Sequence, residues 1–252
     1  MKVLTIIQAR MLSSRLPGKV MKTVLGKPLI GYMLERLARC QAMDKIVLAT
    51  SVDPSNDPLC AYVQSLGYEV FRGAEEDVLE RYYMAARQYR PGAVVRMTGD
   101  CPLADPRLCD RLIKAFFEQK ADQAYLHSSF AEGLDCEIFT YDVLEKMYRE
   151  ADLQSEREHV SQYIANHKDV FKIYKLMNEQ DHSRYRIVVD EPEDFEVVKA
   201  IIEHFCRKPG GMFYFEDIKK FLDERPEIMA WNSQIIRNEG LLKSLASDKK
   251  VR

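Results

Sequence analysis

Two periodicities alternate along this chain. Residues 3–7 form a short apolar, β-branched run that reads as a buried strand. Residues 28–40 instead place Leu29, Ile30, Met33, Leu34 and Leu37 at helical spacing. The exchange repeats, predicting strands over 45–50, 68–72 and 93–97 and helices near 59–66, 77–89 and 107–118. Gly67 sits where a helix C-cap belongs. Residues 132–139 alternate as a strand would, with Asp135 and Glu137 on one face and Leu134, Cys136 and Ile138 on the other. A last β-branched strand is expected over 185–189, followed by a helix from Pro192 to about residue 205. Strand–helix alternation of this kind implies an α/β fold: a mostly parallel, mixed sheet with helices on both faces.

Ligands in such sheets bind beyond the carboxyl ends of the strands, and the chain's charged clusters fall there. After the first strand comes Gln8-Ala9-Arg10-Met11-Leu12-Ser13-Ser14-Arg15-Leu16-Pro17-Gly18-Lys19. Three fixed cations among hydroxyls and backbone amides suit a phosphate-rich ligand. The loop is neither a P-loop nor a dinucleotide fingerprint, because the glycines those need are missing. A second strand end reads Thr98-Gly99-Asp100-Cys101-Pro102, and a third reads Val189-Asp190-Glu191-Pro192. Each presents an aspartate two residues before a proline. Asp100 and Asp190 are the candidate ligands for Mg²⁺, which takes one or two carboxylates together with substrate phosphates. Glu193 and Asp194 read as complements to the dipole of the following helix.

Composition narrows the picture. Lys+Arg 37 against Asp+Glu 39 gives a net charge of -2, unlike a generic nucleic-acid binder. No run approaches the ~18 apolar residues that span a bilayer, and the short apolar start does not read as a signal peptide. The six scattered cysteines form no Cys-x-x-Cys pair and read as reduced thiols of a cytoplasmic protein.

The basic loop resembles the Q-A-R-x-G-S-x-R-L-P-G-K signature of the cytidylyltransferases, the synthetases of CMP-linked acidic sugars, and in particular their spore-coat polysaccharide protein F branch. Leu12 departs from it, standing where the family carries a small residue that tolerates positive φ. Arg72-Gly73-Ala74-Glu75-Glu76-Asp77-Val78-Leu79-Glu80-Arg81-Tyr82 resembles the branch's R-G-x-x-x-D-V-L-x-R-Y, and Gly133-Leu134-Asp135-Cys136-Glu137-Ile138-Phe139 its G-L-D-x-E-x-F. Glu156-Arg157-Glu158-His159-Val160 resembles E-R-E-H-V, and Arg237-Asn238-Glu239-Gly240-Leu241-Leu242-Lys243-Ser244 the R-N-E-G-x-x-K-S ending.

The resemblance implies a Rossmann-like nucleotide-diphospho-sugar transferase (GT-A-like) fold, with residues 1–252 as one nucleotidyltransferase domain. Within it, 209–245 would be a C-terminal packing or dimerisation element, and a disordered tail is expected from about 246. It implies a CTP-dependent enzyme that activates an anionic sugar as a CMP conjugate and releases pyrophosphate, with Mg²⁺ as cofactor, in cell-surface or spore-coat polysaccharide biosynthesis. Arg10, Lys19, Asp100 and Asp190 are then the catalytic candidates. The nucleotide would meet Ala9, Arg10, Ser13, Ser14, Arg15, Lys19, Arg72, Asp77, Arg81 and Thr98. The acceptor would meet Asp135, Glu137, Glu156, His159, Arg184 and Arg186. A homodimer is expected, with neither nucleic acid nor membrane as partner. Two alternatives are a glycosyltransferase of the same fold, for which the usual Asp-x-Asp triplet is missing, and a non-catalytic binding protein.

Overall fold

The computed structural model describes residues 2–207 and 212–251. Strands β1 (Val3–Gln8), β4 (Lys45–Ser51), β5 (Glu69–Gly73), β6 (Ala93–Thr98), β7 (Gln123–Leu126), β8 (Glu137–Thr140) and β9 (Ile173–Leu176) build one sheet in the order β5-β4-β1-β6-β8-β7-β9. A small hairpin of β2 (Thr23–Val24) and β3 (Lys27–Pro28) stands apart. β1 pairs in parallel with both β4 and β6, while β8 runs antiparallel between β6 and β7. This is the mostly parallel, mixed sheet that the periodicity implies.

Alternation along β1 divides the core. Val3 and Ile7 face one layer and Leu4 and Ile6 the other. The first layer is packed by α1 (Leu29–Leu37), α2 (Asp57–Ser65), α4 (Pro106–Gln119), α8 (Pro192–Cys206) and α9 (Phe215–Asp223). The second is packed by α3 (Val78–Tyr89), α5 (Tyr141–Glu150) and, with the short α6 (Gln154–Glu158) against α3, by the short α7 (Gln162–Asn166). Helix starts are set by side-chain caps: Asp77 accepts from the Glu80 amide at 2.8 Å, Asp105 from Arg107 at 3.0 Å and Thr140 from Val143 at 3.1 Å. Each such cap stabilises its helix by about 1 kcal/mol.

Three expectations are corrected. Residues 185–189 are not a strand but an extended segment, tied to the 132 loop by a single bridge between Glu132 and Arg186. The strand expected over 132–139 begins only at Glu137, so exposed Asp135 lies in the preceding loop. The tail is ordered as far as residue 251. After α10 (Pro226–Ala230) and α11 (Glu239–Ala246), it runs antiparallel to 152–154, with a Leu153–Lys250 bridge and the Val251 amide on the Asp152 carbonyl at 2.8 Å. Of the expected C-terminal element and tail, residues 209–211 and 252 lie outside the described residues. Leu12 escapes strain: it is half-exposed and not among the described residues with positive φ. Gly18 carries the left-handed turn of the loop at φ 68°.

Candidate active site

β1 ends at Gln8, and the loop beyond it is closed on itself by the Gly18 amide donating to the Met11 carbonyl at 2.8 Å. Asn56 Oδ1 accepts from the Met11 amide at 2.8 Å and fixes the loop's outer side. Inside it lies a cavity of about 300 Å³ lined by Ala9, Arg10, Ser13, Ser14, Arg15, Lys19, Arg81, Thr98, Asp100 and His159. Gly99 lets the β6 end cross the loop closely: its amide donates to the Gln8 carbonyl at 2.8 Å, and a Cβ there would stand 2.7 Å from Ala9 Cβ.

The two aspartates converge although the chain separates them by 90 residues. The Val189 amide donates to the Asp100 carbonyl at 2.8 Å, which docks the extended segment against the β6 end. Lys19 Nζ then bridges both carboxylates, at 2.9 Å from Asp100 and 2.7 Å from Asp190. Arg15 reaches Asp190 at 3.1 Å and Glu191 at 3.2 Å. Burial opposes the charge on Lys19, but Asp100 and Asp190 outweigh it and raise its pKa. Burial likewise favours neutral Asp100, but Lys19 and the Thr98 hydroxyl prevail and hold its pKa below the usual carboxylate range.

Asp190 is itself positioned from behind. The buried Asp194 carboxylate accepts from the backbone amides of Asp190 and Glu191, each at 3.0 Å. It also takes Arg186 Nε and Nη2, each at 2.8 Å, and Asn232 Nδ2 at 2.9 Å. Arg186 passes on to Glu132 at 2.6 Å. Asp194 therefore does more than complement a helix dipole.

Among the described residues no group of three or more His, Cys, Asp or Glu is arranged to hold a metal ion. Two hard carboxylates bound to one cation are nonetheless the donor set that Mg²⁺ uses alongside phosphate oxygens. The ammonium of Lys19 marks a place where positive charge is already accommodated between them.

A second cavity, of about 480 Å³, adjoins the first and shares Thr98 with it. Asp135 and Glu137 line it, as do Arg96, Lys168, Lys175 and Arg237. Arg96 pairs with Glu137 at 2.6 Å, and Glu137 also accepts from Gln123 at 3.0 Å and Ser161 at 3.1 Å. Neither Lys168 nor Lys175 has an ion-pair partner among the described residues. None of these four cations is a site candidate in the sequence; Arg237 enters there only as part of the R-N-E-G-x-x-K-S resemblance. Arg96 and Lys175 sit within strands, where alternation reports a face but not what the face encloses.

The remaining candidates divide between the first cavity and other parts of the fold. Arg72 is bound by the carbonyls of Ser51, Val52 and Asp53 and by Asp57, outside the first cavity. Asp77 caps α3 and pairs with Arg157. Arg81 lines the cavity, but its guanidinium holds the Ala74 and Glu75 carbonyls. Glu156 is buried on the amides of Asp152 and Leu153 and on Asn166. Arg184 is exposed against Asp223, while Arg186 is buried behind Asp190, so the two do not form a joint anion site. His159 lines the first cavity rather than the second one. Burial lowers its pKa, Arg96 adding to the effect and Glu158 opposing it. Val160, beside it, holds φ 48°, a strained conformation for a β-branched residue.

Over 214 residues the chain is 34% identical to the spore coat polysaccharide biosynthesis protein SpsF of Bacillus subtilis, covering 82% of this chain and 89% of that protein. A partial match, 35% identical over 116 residues, reaches the 3-deoxy-manno-octulosonate cytidylyltransferase of Anaeromyxobacter and covers 45% of this chain and 46% of that one. The solved structure of a cytidylyltransferase from Leptospira borgpetersenii superposes with TM-score 0.87 at 35% identity, over 94% of this chain and all of that one. The CTP complex of a CMP:2-keto-3-deoxy-manno-octonic acid synthetase, 18% identical, shares the fold at TM-score 0.64, covering 81% of this chain and 99% of that one. The family model for cytidylyltransferases matches residues 4–230, and the chain belongs to that family.

Proposed function

We propose that the protein transfers CMP from CTP to a hydroxyl of an anionic sugar and releases pyrophosphate. The observation that carries this reading is the convergence of Asp100, Asp190 and Lys19 beside a loop bearing Arg10 and Arg15. The acceptor oxygen bonds to the α-phosphorus as the bond to the β-phosphate oxygen breaks, and the hydroxyl proton is lost. Arg10, Arg15 and Lys19 hold the triphosphate and take up charge on the departing pyrophosphate, with Ser13 and Ser14 donating to its oxygens. Asp100 and Asp190 would hold Mg²⁺, which supplies charge neutralisation at the α-phosphate and acidifies the attacking hydroxyl. The second cavity is the acceptor's: Arg96, Lys168, Lys175 and Arg237 outnumber Asp135 and Glu137, which favours an acid.

The similarity to the spore-coat protein supports a role in cell-surface polysaccharide synthesis. Free thiols at all six cysteines suit the cytoplasm. Trp231 and Ile236, 48% and 62% exposed, offer apolar surface to a second copy in a homodimer; sedimentation at equilibrium checks that state. The functional test is pyrophosphate release from CTP, UTP, ATP or GTP with Mg²⁺ and a panel of sugar acids. Release confined to CTP and a sugar acid is expected. Release of a nucleoside diphosphate from nucleotide-sugars would instead identify a glycosyltransferase.

A further inference from the structure

The C-terminal segment touches both cavities in turn. Arg237, Asn238 and Leu241 line the second, Gly240 lines the first, and Glu239 approaches Arg15 at 3.7 Å. Its far end is tied down by polar bonds: Asp248 accepts from the Ser155 amide at 2.9 Å and hydroxyl at 2.5 Å, and the Gln154 amide donates to the Lys249 carbonyl at 2.9 Å. Between the ties α11 buries no side chain; besides the long Glu239–Arg15 contact, it is held to the body by Ser244 Oγ donating to Glu158 at 2.9 Å. A segment fastened at its ends and unburied in its middle belongs to the low-stability part of a fold, from which moving elements are drawn.

We propose that residues 237–251 form a strap that closes the reaction site of their own subunit and presents Arg237 to the acid group of the acceptor. The inference rests on the reading of the second cavity as the acceptor's. Arg237 is suited to the role. Nη1 is spent on the Ser128 and Phe130 carbonyls at 2.9 and 3.2 Å, which orients the guanidinium. Nη2 makes only a 3.5 Å contact with the exposed Asp135, leaving donors for a carboxylate or phosphate oxygen. Arg237 is thus a specificity residue delivered by the tail, and the tail's order is part of the site.

The test uses the full chain with CTP, Mg²⁺ and whichever sugar acid gives most pyrophosphate release. Arg237→Ala is expected to raise KM for that acid about tenfold or more, with KM for CTP within about twofold, and Arg237→Lys to recover part of the loss. Amide exchange across 239–246 is expected to slow about fivefold or more when both substrates bind, and Asp248→Asn, which loosens the far tie, to lessen that slowing. An unchanged acceptor KM in Arg237→Ala, or exchange that ignores substrates or follows protein concentration, overturns the proposal. If the wild type releases no pyrophosphate with any sugar acid, the functional reading fails first and this inference falls with it.

Discussion

At the scale of single residues the site is an arrangement of charge. Removing the Asp100 carboxylate leaves Lys19 bridging to Asp190 alone and deletes half of the hard-oxygen donor set. Asp100→Asn is therefore expected to lower kcat by roughly a thousandfold, about 4 kcal/mol of transition-state stabilisation, while the protein stays folded; steady-state pyrophosphate release measures it. Asp194 acts one step back from the chemistry. Asp194→Asn strips Arg186 of its bidentate partner in a buried setting, at a cost of about 3 kcal/mol in denaturant unfolding. Because Asp190 and Glu191 hang from that carboxylate by their amides, the variant is also expected to need several-fold more Mg²⁺ for half-maximal rate. A purely structural role would leave that requirement unchanged. His159 gives a pH signature. Its pKa is lowered in the fold, first by burial, so the unfolded chain takes up the proton first and stability is lost as pH falls through about 6.5. His159→Gln is expected to flatten, in thermal melts from pH 7.5 to 5.5, the part of that loss not owed to His182, whose pKa is also lowered by burial.

At the scale of elements, the placing of Asp190 depends on a segment that is extended without being a strand. Gly133, at φ 101°, lies against it so closely that a Cβ would stand 2.4 Å from the Val188 nitrogen and 2.5 Å from the Ile187 carbonyl carbon. Gly133→Ala must push the segment away, and we expect about 2 kcal/mol or more of destabilisation together with loss of turnover, measured on the same preparation. The segment also shows what the chain made legible. Its β-branched run announced extended backbone and its Asp-x-Pro ending announced the carboxylate, because both are local. Its partner, the Glu132 loop, is distant in sequence, and no local pattern reveals that pairing stops after one bridge. β7 and β9 went unread for a similar reason: four residues each, interrupted by Gln123 and Lys175, are too short for a period to emerge. Arg72 and Arg184 show a related limit: a motif or a strand face marks a cation as a ligand candidate, while the carbonyls and the Asp223 carboxylate that hold these two are visible only in the fold.

At the scale of the whole molecule, the near-balanced net charge of -2 conceals a local exchange of partners on which binding must draw. Lys19 and Arg15, which on the proposed function meet the triphosphate, are the groups that neutralise Asp100 and Asp190. Mg²⁺ alone must compete with an ammonium for those carboxylates, and CTP alone must draw the cations off them. Bound together, on the proposed function, each would relieve the other: the phosphates would take the cations and the carboxylates the metal. The two affinities are then linked, and by reciprocity each tightens the other by the same factor. A hundredfold excess over Kd stabilises a fold by about 2.7 kcal/mol, which for a chain of this size raises Tm by roughly 5–10 °C. Thermal melts should therefore show a shift near zero for Mg²⁺, a modest one for CTP, and for the pair a shift larger than the two added. In Lys19→Ala Asp100 is freed and only Arg15 still competes for Asp190, so Mg²⁺ alone should stabilise more than it does the wild type while CTP stabilises less. Additive shifts in the wild type, or a variant that loses both responses equally, would show that the cations and the carboxylates serve separate sites.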